Sequence, residues 1–318
     1  MSSRPILLVD ALNLFMQHFV ANPAIGIHGN HVGGVVGFMK ALAHLSDRIG
    51  PRKIIVVWEG GGSVRKRGIY KGYKNGRRPQ KLNRYYGEEI PDTVQNRDSE
   101  ISILISLLRH SPVTQMYISD CEADDIIGYI ARNMYKKERK VIVSSDKDLY
   151  QVLSSDVIQW SPGKKAFINL RDVRDKFGIH VNNFCTARSF VGDPSDNLSG
   201  VPRVGFASLV KRFPEISEKT FVSVEEIIEK SEKMIENSSL KIYTNIVEFS
   251  DIPRRNWKLM FLDTKNLSAF QIKKIHDSLD SDENYMNKIE LIRSMLKHGI
   301  NNFDADGFFA SLRATTRR

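Results

Sequence analysis

Short apolar runs, each followed closely by acidic residues, alternate with helical periodicity through the first half of the chain. Buried strands are predicted at residues 6–9, 54–58, 113–118 and 141–143. Helical periodicity separates these runs at residues 35–49, 99–109 and 122–135. Strands that are apolar throughout and joined by helices are typical of a parallel sheet covered on both faces. We therefore expect an α/β fold whose chemistry lies at the carboxyl ends of the strands.

The strand signal fades after residue 170, and helical periodicity dominates the second half. Helices are predicted at residues 182–191, 207–213, 224–235, 268–279 and 288–296. This change predicts two domains, a sheet domain at residues 1–180 and a mostly helical domain at residues 181–318. Residues 299–318 show no clear periodicity.

The net charge of +10 comes almost entirely from one segment. Residues 65–84 contain nine basic residues and no acid, whereas the rest of the chain has 38 basic and 37 acidic residues. Tyrosines interleave with these charges at positions 70, 73, 85 and 86. A basic, aromatic segment is typical of phosphate contact combined with base stacking. The alternative is a solvated, disordered loop. The basic residues are Arg65, Lys66, Arg67, Lys71, Lys74, Arg77, Arg78, Lys81 and Arg84.

Acidic residues follow all four predicted strands. A single Asp after a strand is usually a helix N-cap, but the carboxyl ends of parallel strands lie side by side. We therefore expect these carboxylates to converge on one edge of the sheet, together with a pair in the segment at 192–200. The candidates are Asp10, Glu59, Glu122, Asp124, Asp125, Asp146, Asp148, Asp193 and Asp196.

So many clustered carboxylates repel one another, and a bound divalent cation is the economical way to offset that repulsion. Hard oxygen ligands without neighbouring His or Cys favour Mg²⁺ or Mn²⁺ over zinc. We expect two Mg²⁺ ions, with Mn²⁺ as a substitute, in a site suited to phosphodiester hydrolysis. Some of the nine carboxylates then act through bound water.

Five segments in this order resemble the 5′ nuclease superfamily of flap endonucleases and 5′-to-3′ exonucleases. A sixth, QWSPGKK at 159–165, is similar to the phage ribonuclease H type. The five segments are LLVDALNLF (7–15), YKNGR (73–77), EADDIIGYIA (122–131), SSDKDLYQVL (144–153) and GDPSDNLSGVPRVG (192–205).

This resemblance implies a fold. A PIN-like central mixed sheet has helices on both faces, and a helical arch at about 60–95 receives a single-stranded 5′ end. A helix–three-turn–helix element at about 192–213 grips duplex DNA within a mostly helical C-terminal region.

The resemblance also implies roles for single residues. Lys74 and Arg77 are the catalytic cations at the scissile phosphate, and Tyr73 stacks on a base. Nucleic acid is contacted by Arg65, Lys66, Arg67, Lys71, Tyr73, Arg78, Lys81, Arg84, Gly200, Arg203 and Gly205.

Two positions depart from the superfamily pattern. Glu59 stands where an Asp is usual, so it is expected to bind metal directly or through water, or else to cap the glycine turn at 60–62. Arg203 replaces a usual Gly in the loop that precedes the second helix of the DNA-binding element.

Other enzyme classes lack their signatures here. No GxGxxG follows the first strand, as a Rossmann oxidoreductase requires, and no DxDx[TV] phosphatase motif stands there. The sequence predicts a metal-dependent 5′-to-3′ exonuclease and flap endonuclease with ribonuclease H activity, acting on RNA primers and DNA flaps. The alternative is a non-catalytic protein that binds branched DNA.

The expected partners follow from that function. They are DNA with 5′ flaps or nicks and RNA–DNA hybrids, with a single-stranded-DNA-binding protein and a sliding clamp as further partners. With two cysteines and no long apolar run, we expect a monomer without membrane contact. Its expected location is the cytoplasm, or the host cytoplasm if the protein is phage-encoded.

Overall fold

A six-stranded sheet forms the centre of the protein. The computed structural model describes residues 4–76, 94–280 and 286–316. The strand order is β3-β2-β1-β4-β5-β6; β1 to β5 are parallel, and β6 pairs antiparallel with β5. The strands are β1 Ile6–Asp10, β2 Lys53–Trp58, β3 Thr114–Tyr117, β4 Lys140–Val143, β5 Val157–Ser161 and β6 Ala166–Ile168. The predicted α/β class and mixed sheet are confirmed, and the β5–β6 hairpin was not predicted.

Fourteen helices surround the sheet in the part of the chain that the structure describes. The first seven are α1 Ala11–Ala21, α2 Gly33–Ile49, α3 Val64–Ile69, α4 Val94–Leu108, α5 Ala123–Asn133, α6 Leu170–Phe177 and α7 Phe184–Val191. The others are α8 Phe206–Arg212, α9 Val224–Ile235, α10 Lys241–Glu248, α11 Asp251–Met260, α12 Ala269–Asp280, α13 Lys288–Lys297 and α14 Ala305–Thr316. Short 3₁₀ turns at Asp148–Val152 and Pro194–Asp196 lie beside predicted site residues.

The central strands are buried on both faces, as their continuous apolar sequence predicts. Alternate residues of a strand point to opposite faces, so Leu7 and Val9 join one core while Ile6 and Leu8 join the other. Helices α1, α2 and α4 cover the first face, and α5 and α12 cover the second. This packing fixes the strand ends that carry the acidic residues.

The C-terminal half does not stand apart from the sheet. Helices α7 to α10 build a core of their own, but α13 and α14 return to the core under α2. Phe308, Phe309 and Leu312 of α14 are buried there. Residues 299–318, which showed no clear periodicity, therefore include a helix packed on the sheet domain.

Only the base of the predicted arch lies within the described ranges. Helix α3 begins the basic segment, which continues as turns to residue 76. Arg77, Arg78, Lys81 and Arg84 lie outside the described residues, so their expected roles stay predictions. Within the described ranges, no helix combines the length and the apolar character that crossing a bilayer demands.

Candidate active site

The carboxyl ends of β1, β2 and β4 bring acidic residues to one edge of the sheet. Asp10 ends β1 and caps α1 by accepting a hydrogen bond from the Asn13 amide at 3.1 Å. Glu59 directly follows β2. After β4, the Ser144 hydroxyl donates to Asp10 at 2.9 Å and accepts from the Asp146 amide at 3.1 Å. The Ser144 hydroxyl therefore links the end of β1 to the loop that follows β4.

The first group of charges, here called the lysine cluster, consists of Glu122, Asp124, Asp125, Lys66 and Lys74. Ligand oxygens of the three acids lie within 4.8 Å of one another at the start of α5. The Lys66 ammonium lies 2.6 Å from Glu122, 3.0 Å from Asp125 and 3.7 Å from Asp124. The Lys74 ammonium lies 2.6 Å from the other oxygen of Glu122. Two cations of the basic segment therefore neutralise part of the acidic group.

The two ammonium groups control the charge of Glu122. Burial opposes ionisation, but Lys66 and Lys74 outweigh it and hold the pKa of Glu122 well below its ordinary value. Asp124 lies two residues after Glu122, and burial raises its pKa well above the usual range, with further contributions from the charges of Asp125 and Glu122. Glu122 is thus firmly ionised, whereas ionisation of Asp124 is favoured by an added cation.

Lys66 and Tyr73 were predicted to contact nucleic acid, but both side chains are buried. Lys66 is 1% exposed, so its ammonium faces the carboxylates instead of solvent. The ring of Tyr73 is 6% exposed, and its hydroxyl donates to Glu122 at 3.0 Å. A buried ring with an engaged hydroxyl offers no face to a base, which corrects the stacking role. Both residues anchor the basic segment to the site.

The second group, here called the arginine cluster, joins Arg188 of α7 to Asp148 and Asp193. The guanidinium lies 2.6 Å from Asp148 through Nε and 2.5 Å from Asp193 through Nη2. Sequence reasoning missed Arg188, because a lone Arg in an apolar helix has no motif of its own. Arg188 lies four residues before Gly192, the first residue of the fifth matched segment. One helical turn therefore separates it from the acids of that segment, and this spacing is the signal that could have identified it.

Asp196 connects the two clusters electrostatically, and Asp146 acts on the arginine cluster. The charges of Asp146, Asp196 and Asp193 each raise the pKa of Asp148, although burial contributes most. Asp196 also acts on Lys74: burial lowers the pKa of Lys74, and the charges of Glu122, Asp124 and Asp196, in that order, raise it. The acids predicted from four separate segments therefore lie close enough to influence one another's ionisation.

Three acids of the site keep raised pKa values although cations lie near them. Burial is the main cause that raises the pKa of Asp10 to about 6, that of Glu59 to about 7 and that of Asp148 to about 7. Such carboxylates ionise readily only when a positive charge comes near. An all-oxygen donor set of this kind fits a hard divalent cation. The residues present therefore suit divalent metal, as expected.

The glycines after Glu59 set how its side chain enters the site. An added Cβ at Gly60 would lie 1.7 Å from the Ile118 carbonyl oxygen, so only Gly allows this approach of β2 to the loop after β3. Gly61 and Gly62 have φ angles of 84° and 80°, which glycine adopts without strain. Burial raises the pKa of Glu59 most. The charge of Lys74 lowers it, and the charges of Glu122 and Asp10 raise it further. Its carboxylate thus lies between the acids of β1 and α5.

Hydrogen bonds join the basic segment to the loop of the predicted DNA-binding element. The Lys74 amide donates to the Asp196 carbonyl at 2.9 Å, and the Asn197 side chain donates to the Gly72 carbonyl at 2.9 Å. Lys74 has a φ of 58° and Asn197 a φ of 59°. Left-handed backbone at a non-glycine residue costs roughly 1 kcal/mol or more, so contacts on both sides hold Lys74 in place.

The loop at 200–205 connects α7 to α8 through a close turn. An added Cβ at Gly200 would lie 2.1 Å from the Val191 carbonyl oxygen, so this glycine serves packing. The Gly205 amide donates to the Ser208 hydroxyl at 2.9 Å, so its hydrogen bond is made within the protein. Arg203 is exposed and has a φ of 63°. That angle explains physically why Gly is the usual residue there.

The remaining described cations of the basic segment differ in exposure. Arg67 and Lys71 are exposed, Arg65 is half-buried, and Lys74 retains 24% of its side-chain surface. Helix α3 rests on α11, where the Arg65 side chain donates to the Lys258 carbonyl at 3.5 Å. Arg255 of α11 lies over the Tyr70 ring at 4.4 Å. The C-terminal region thus supports the base of the basic segment.

Comparison with known proteins identifies the family of the chain. Residues 5–178 match the family described as 5′-3′ exonuclease, N-terminal resolvase-like domain. A 5′-3′ exonuclease of Buchnera aphidicola is 26% identical over 283 residues, covering 86% of each chain. A flap endonuclease Xni of Shewanella woodyi is 25% identical over 276 residues, covering 84% of this chain and 98% of its own.

Solved structures give the same fold. The T5 D15 protein, co-crystallised with metal ions, superposes with a TM-score of 0.69 at 20% identity, over 87% of this chain and 99% of its own. The catalytic core of Rad2 in complex with a DNA substrate gives a TM-score of 0.53 at 14% identity, over 99% and 93%. Because the family match spans more than half of the chain and includes the acidic segments from β1 to β4, the chain belongs to the 5′-3′ exonuclease family of the 5′ nuclease superfamily, a family of phosphodiester hydrolases.

Proposed function

We propose that this 5′ nuclease uses two divalent cations, Mg²⁺ or Mn²⁺, to cut phosphodiesters of RNA primers and DNA flaps at 5′ ends. The convergence of nine carboxylates beside Lys74 carries the proposal. It is supported by relatives named as exonucleases and as a flap endonuclease. The proposed ligands are Asp10, Glu59, Glu122, Asp124, Asp125, Asp146, Asp148, Asp193 and Asp196, some of them through water.

When bound, the cations supply an activated water and charge stabilisation at the scissile phosphate. The protein's own residues do the rest. Lys74 presents an ammonium at the edge of the acidic group, where it binds a phosphate oxygen and stabilises the charge that develops on it. Lys66 stays buried and holds Glu122 ionised and oriented. Glu59 reaches the same edge from β2.

The substrate arrives from the side of the basic segment. Arg67 and Lys71 are exposed cations next to Lys74 and suit the phosphates of a single strand. Arg203, exposed on the loop before α8, suits the backbone of the duplex. Arg77, Arg78, Lys81 and Arg84 complete the proposed path outside the described residues.

The proposed partners are flapped or nicked DNA and RNA–DNA hybrids, bound by a monomer in the cytoplasm or in the cytoplasm of a host. A single-stranded-DNA-binding protein and a sliding clamp are proposed as further partners at a replication fork. Phe308 and Phe309 of α14 are 2% and 6% exposed, so these two rings do not provide a clamp contact. Any clamp contact therefore uses another surface.

The test uses 5′-labelled flap, nicked duplex and RNA–DNA hybrid substrates with and without Mg²⁺. Wild type is expected to cut all three only with the metal. Asp146→Asn is expected to lose at least 10³-fold in single-turnover rate while binding the flap within a few-fold of wild type. Asp156→Asn, an exposed acid at the opposite end of the sheet, is the matched control and keeps its rate.

Binding without Mg²⁺-dependent cleavage by wild type would favour the non-catalytic alternative. Cleavage by Asp146→Asn at a near wild-type rate would remove the proposed two-metal arrangement. The ratio of the rates on the three substrates measures the balance between exonuclease and flap endonuclease action and the preference between RNA and DNA.

A further inference from the structure

A groove lies on the sheet face that α1 and α2 cover, outside the acidic site. It has a volume of about 770 Å³, within the range of about 300–1,000 Å³ that is usual for ligand sites. Helix α1, one side of α2 and the β5–β6 hairpin form its walls. None of the residues assigned to the acidic site lines it.

The rim of the groove is basic. Lys40, His44 and Arg48 follow one another at four-residue spacing along α2, and Lys165 of the hairpin faces them across the groove. No acidic residue lines the groove within the described ranges. The positive charge of Lys165 acts on His18 of the α1 wall. The pKa of His18 is lowered mainly by burial and then by this charge.

The floor of the groove is apolar. Leu14, Leu45 and Trp160 are buried beneath it. Apolar surface stays accessible along it at Ala21, Pro23 and Ala41. Arg48 lies 4.7 Å from the Trp160 ring, and this contact holds the guanidinium at the edge of the floor. Arg48 itself is exposed, so it remains available to a carboxylate.

We propose that this groove binds an acidic peptide segment of a partner protein, with apolar side chains on the floor and carboxylates on the basic rim. Charge complementarity selects an anion, and the apolar floor selects one that carries hydrophobic groups. A nucleic acid strand fits less well. It needs exposed aromatic rings for its bases, and the one aromatic ring of the groove outside the imidazoles, Trp160, is 6% exposed.

The groove adjoins the acidic site at one end. The Gly163 amide of the hairpin donates to the Ser145 hydroxyl at 3.1 Å, and the Ser145 amide donates to Asn13 at 2.9 Å. Leu14, on the floor, follows Asn13 directly. A partner bound through this peptide is therefore held within a helical turn of the site, where tethering raises its local concentration.

The experiment measures fluorescence anisotropy of a labelled peptide, Gly-Asp-Asp-Phe-Leu-Asp-Asp-Gly, titrated with the whole protein. Lys40→Glu combined with Arg48→Glu is expected to weaken binding at least tenfold. Lys136→Glu combined with Lys137→Glu is the matched control, because it makes the same charge change at exposed residues after α5, and it is expected to change binding less than twofold. Peptides with Asn for Asp, or Ser for Phe and Leu, should each lose binding.

Flap cleavage by both double variants is measured in the same preparations and is expected to stay within threefold of wild type. No saturable binding of the acidic peptide to wild type overturns the proposal, as does equal weakening in the two double variants. Tighter binding of a single-stranded oligonucleotide at the groove, lost in Lys40→Glu with Arg48→Glu while peptide binding is unchanged, would assign the groove to nucleic acid instead.

Discussion

The lysine cluster and the arginine cluster lie at the same edge of the sheet, but their cations come from different parts of the chain. Lys66 and Lys74 belong to the basic segment that precedes residue 77, whereas Arg188 belongs to α7 of the C-terminal half. The two lysines meet three carboxylates, and one guanidinium bridges two. One cluster thus couples the site to the basic segment, and the other couples it to the helical region.

The type of cation matters as much as its origin. An ammonium is a compact charge on a flexible stem, while a guanidinium is a planar fork suited to bridging two carboxylates. We infer that the lysine cluster can rearrange as substrate binds, and that the arginine cluster is a fixed brace. The predictions below separate these roles.

The largest expected effect is that of Lys74→Ala on catalysis. Removing a cation that acts on the reacting phosphate lowers the single-turnover rate by about 10³-fold, with a smaller change in flap affinity. Lys71→Ala, an exposed neighbour in the same segment, should change the rate less than threefold. Equal losses of affinity alone in both variants would make Lys74 part of a general basic patch.

The second prediction concerns stability. Lys66→Met removes a buried cation from three carboxylates and should lower the free energy of unfolding by about 3 kcal/mol in metal-free buffer. Added Mn²⁺ should recover part of that loss, because it supplies the missing charge. Chemical denaturation with EDTA and with Mn²⁺ measures both effects. A loss below about 1 kcal/mol would show that Lys66 carries little of the cluster's charge balance.

The third prediction uses the raised pKa values of three acids of the site. Asp10, Glu59 and Asp148 have pKa values raised to about 6, about 7 and about 7, mainly by burial. The folded protein then holds more protons than the unfolded chain above pH 4, so unfolding free energy falls as pH rises from about 4 to 7. One group raised by about two pKa units contributes on the order of 3 kcal/mol, so the expected fall in EDTA is at least that large.

Mg²⁺ should flatten that slope, because bound cations favour the ionised carboxylates. Glu122 acts in the opposite direction between its lowered pKa of about 2 and its ordinary value of 4.5, at the acid end of this window. Unfolding curves at several pH values, with EDTA and with Mg²⁺, measure the difference. A slope that Mg²⁺ leaves unchanged would place the raised pKa values outside the metal-binding set.

The smallest expected effect is that of Arg188→Lys. An ammonium cannot bridge Asp148 and Asp193 as the guanidinium does, so the free energy of unfolding should fall by about 1 kcal/mol. Flap cleavage should fall less than tenfold, since the substituted charge still faces Asp148. If Arg188→Lys lost as much activity as Lys74→Ala, the arginine cluster would not be a brace but part of the reacting centre.

Local sequence determined much of this protein. Apolar runs of strand length with helices between them specify a parallel sheet, since only a sheet buried on both faces tolerates such strands. The acids after β1, β2 and β4 then had to meet at one edge. The positive φ angles of Gly61, Gly62, Lys74 and Arg203 are likewise local features of turns.

Tertiary structure decided what the local pattern does not carry. Lys66 and Tyr73 looked like two more members of a basic, aromatic segment, and only packing against Glu122, 56 and 49 residues away in sequence, buried them. Arg188 gained its role from Asp148, which lies in a different element, and α14 formed because α2 supplies a surface for Phe308 and Leu312. A residue's neighbours along the chain fix its backbone preference, but its burial and charge partners depend on distant segments, which is why these four features came from the fold.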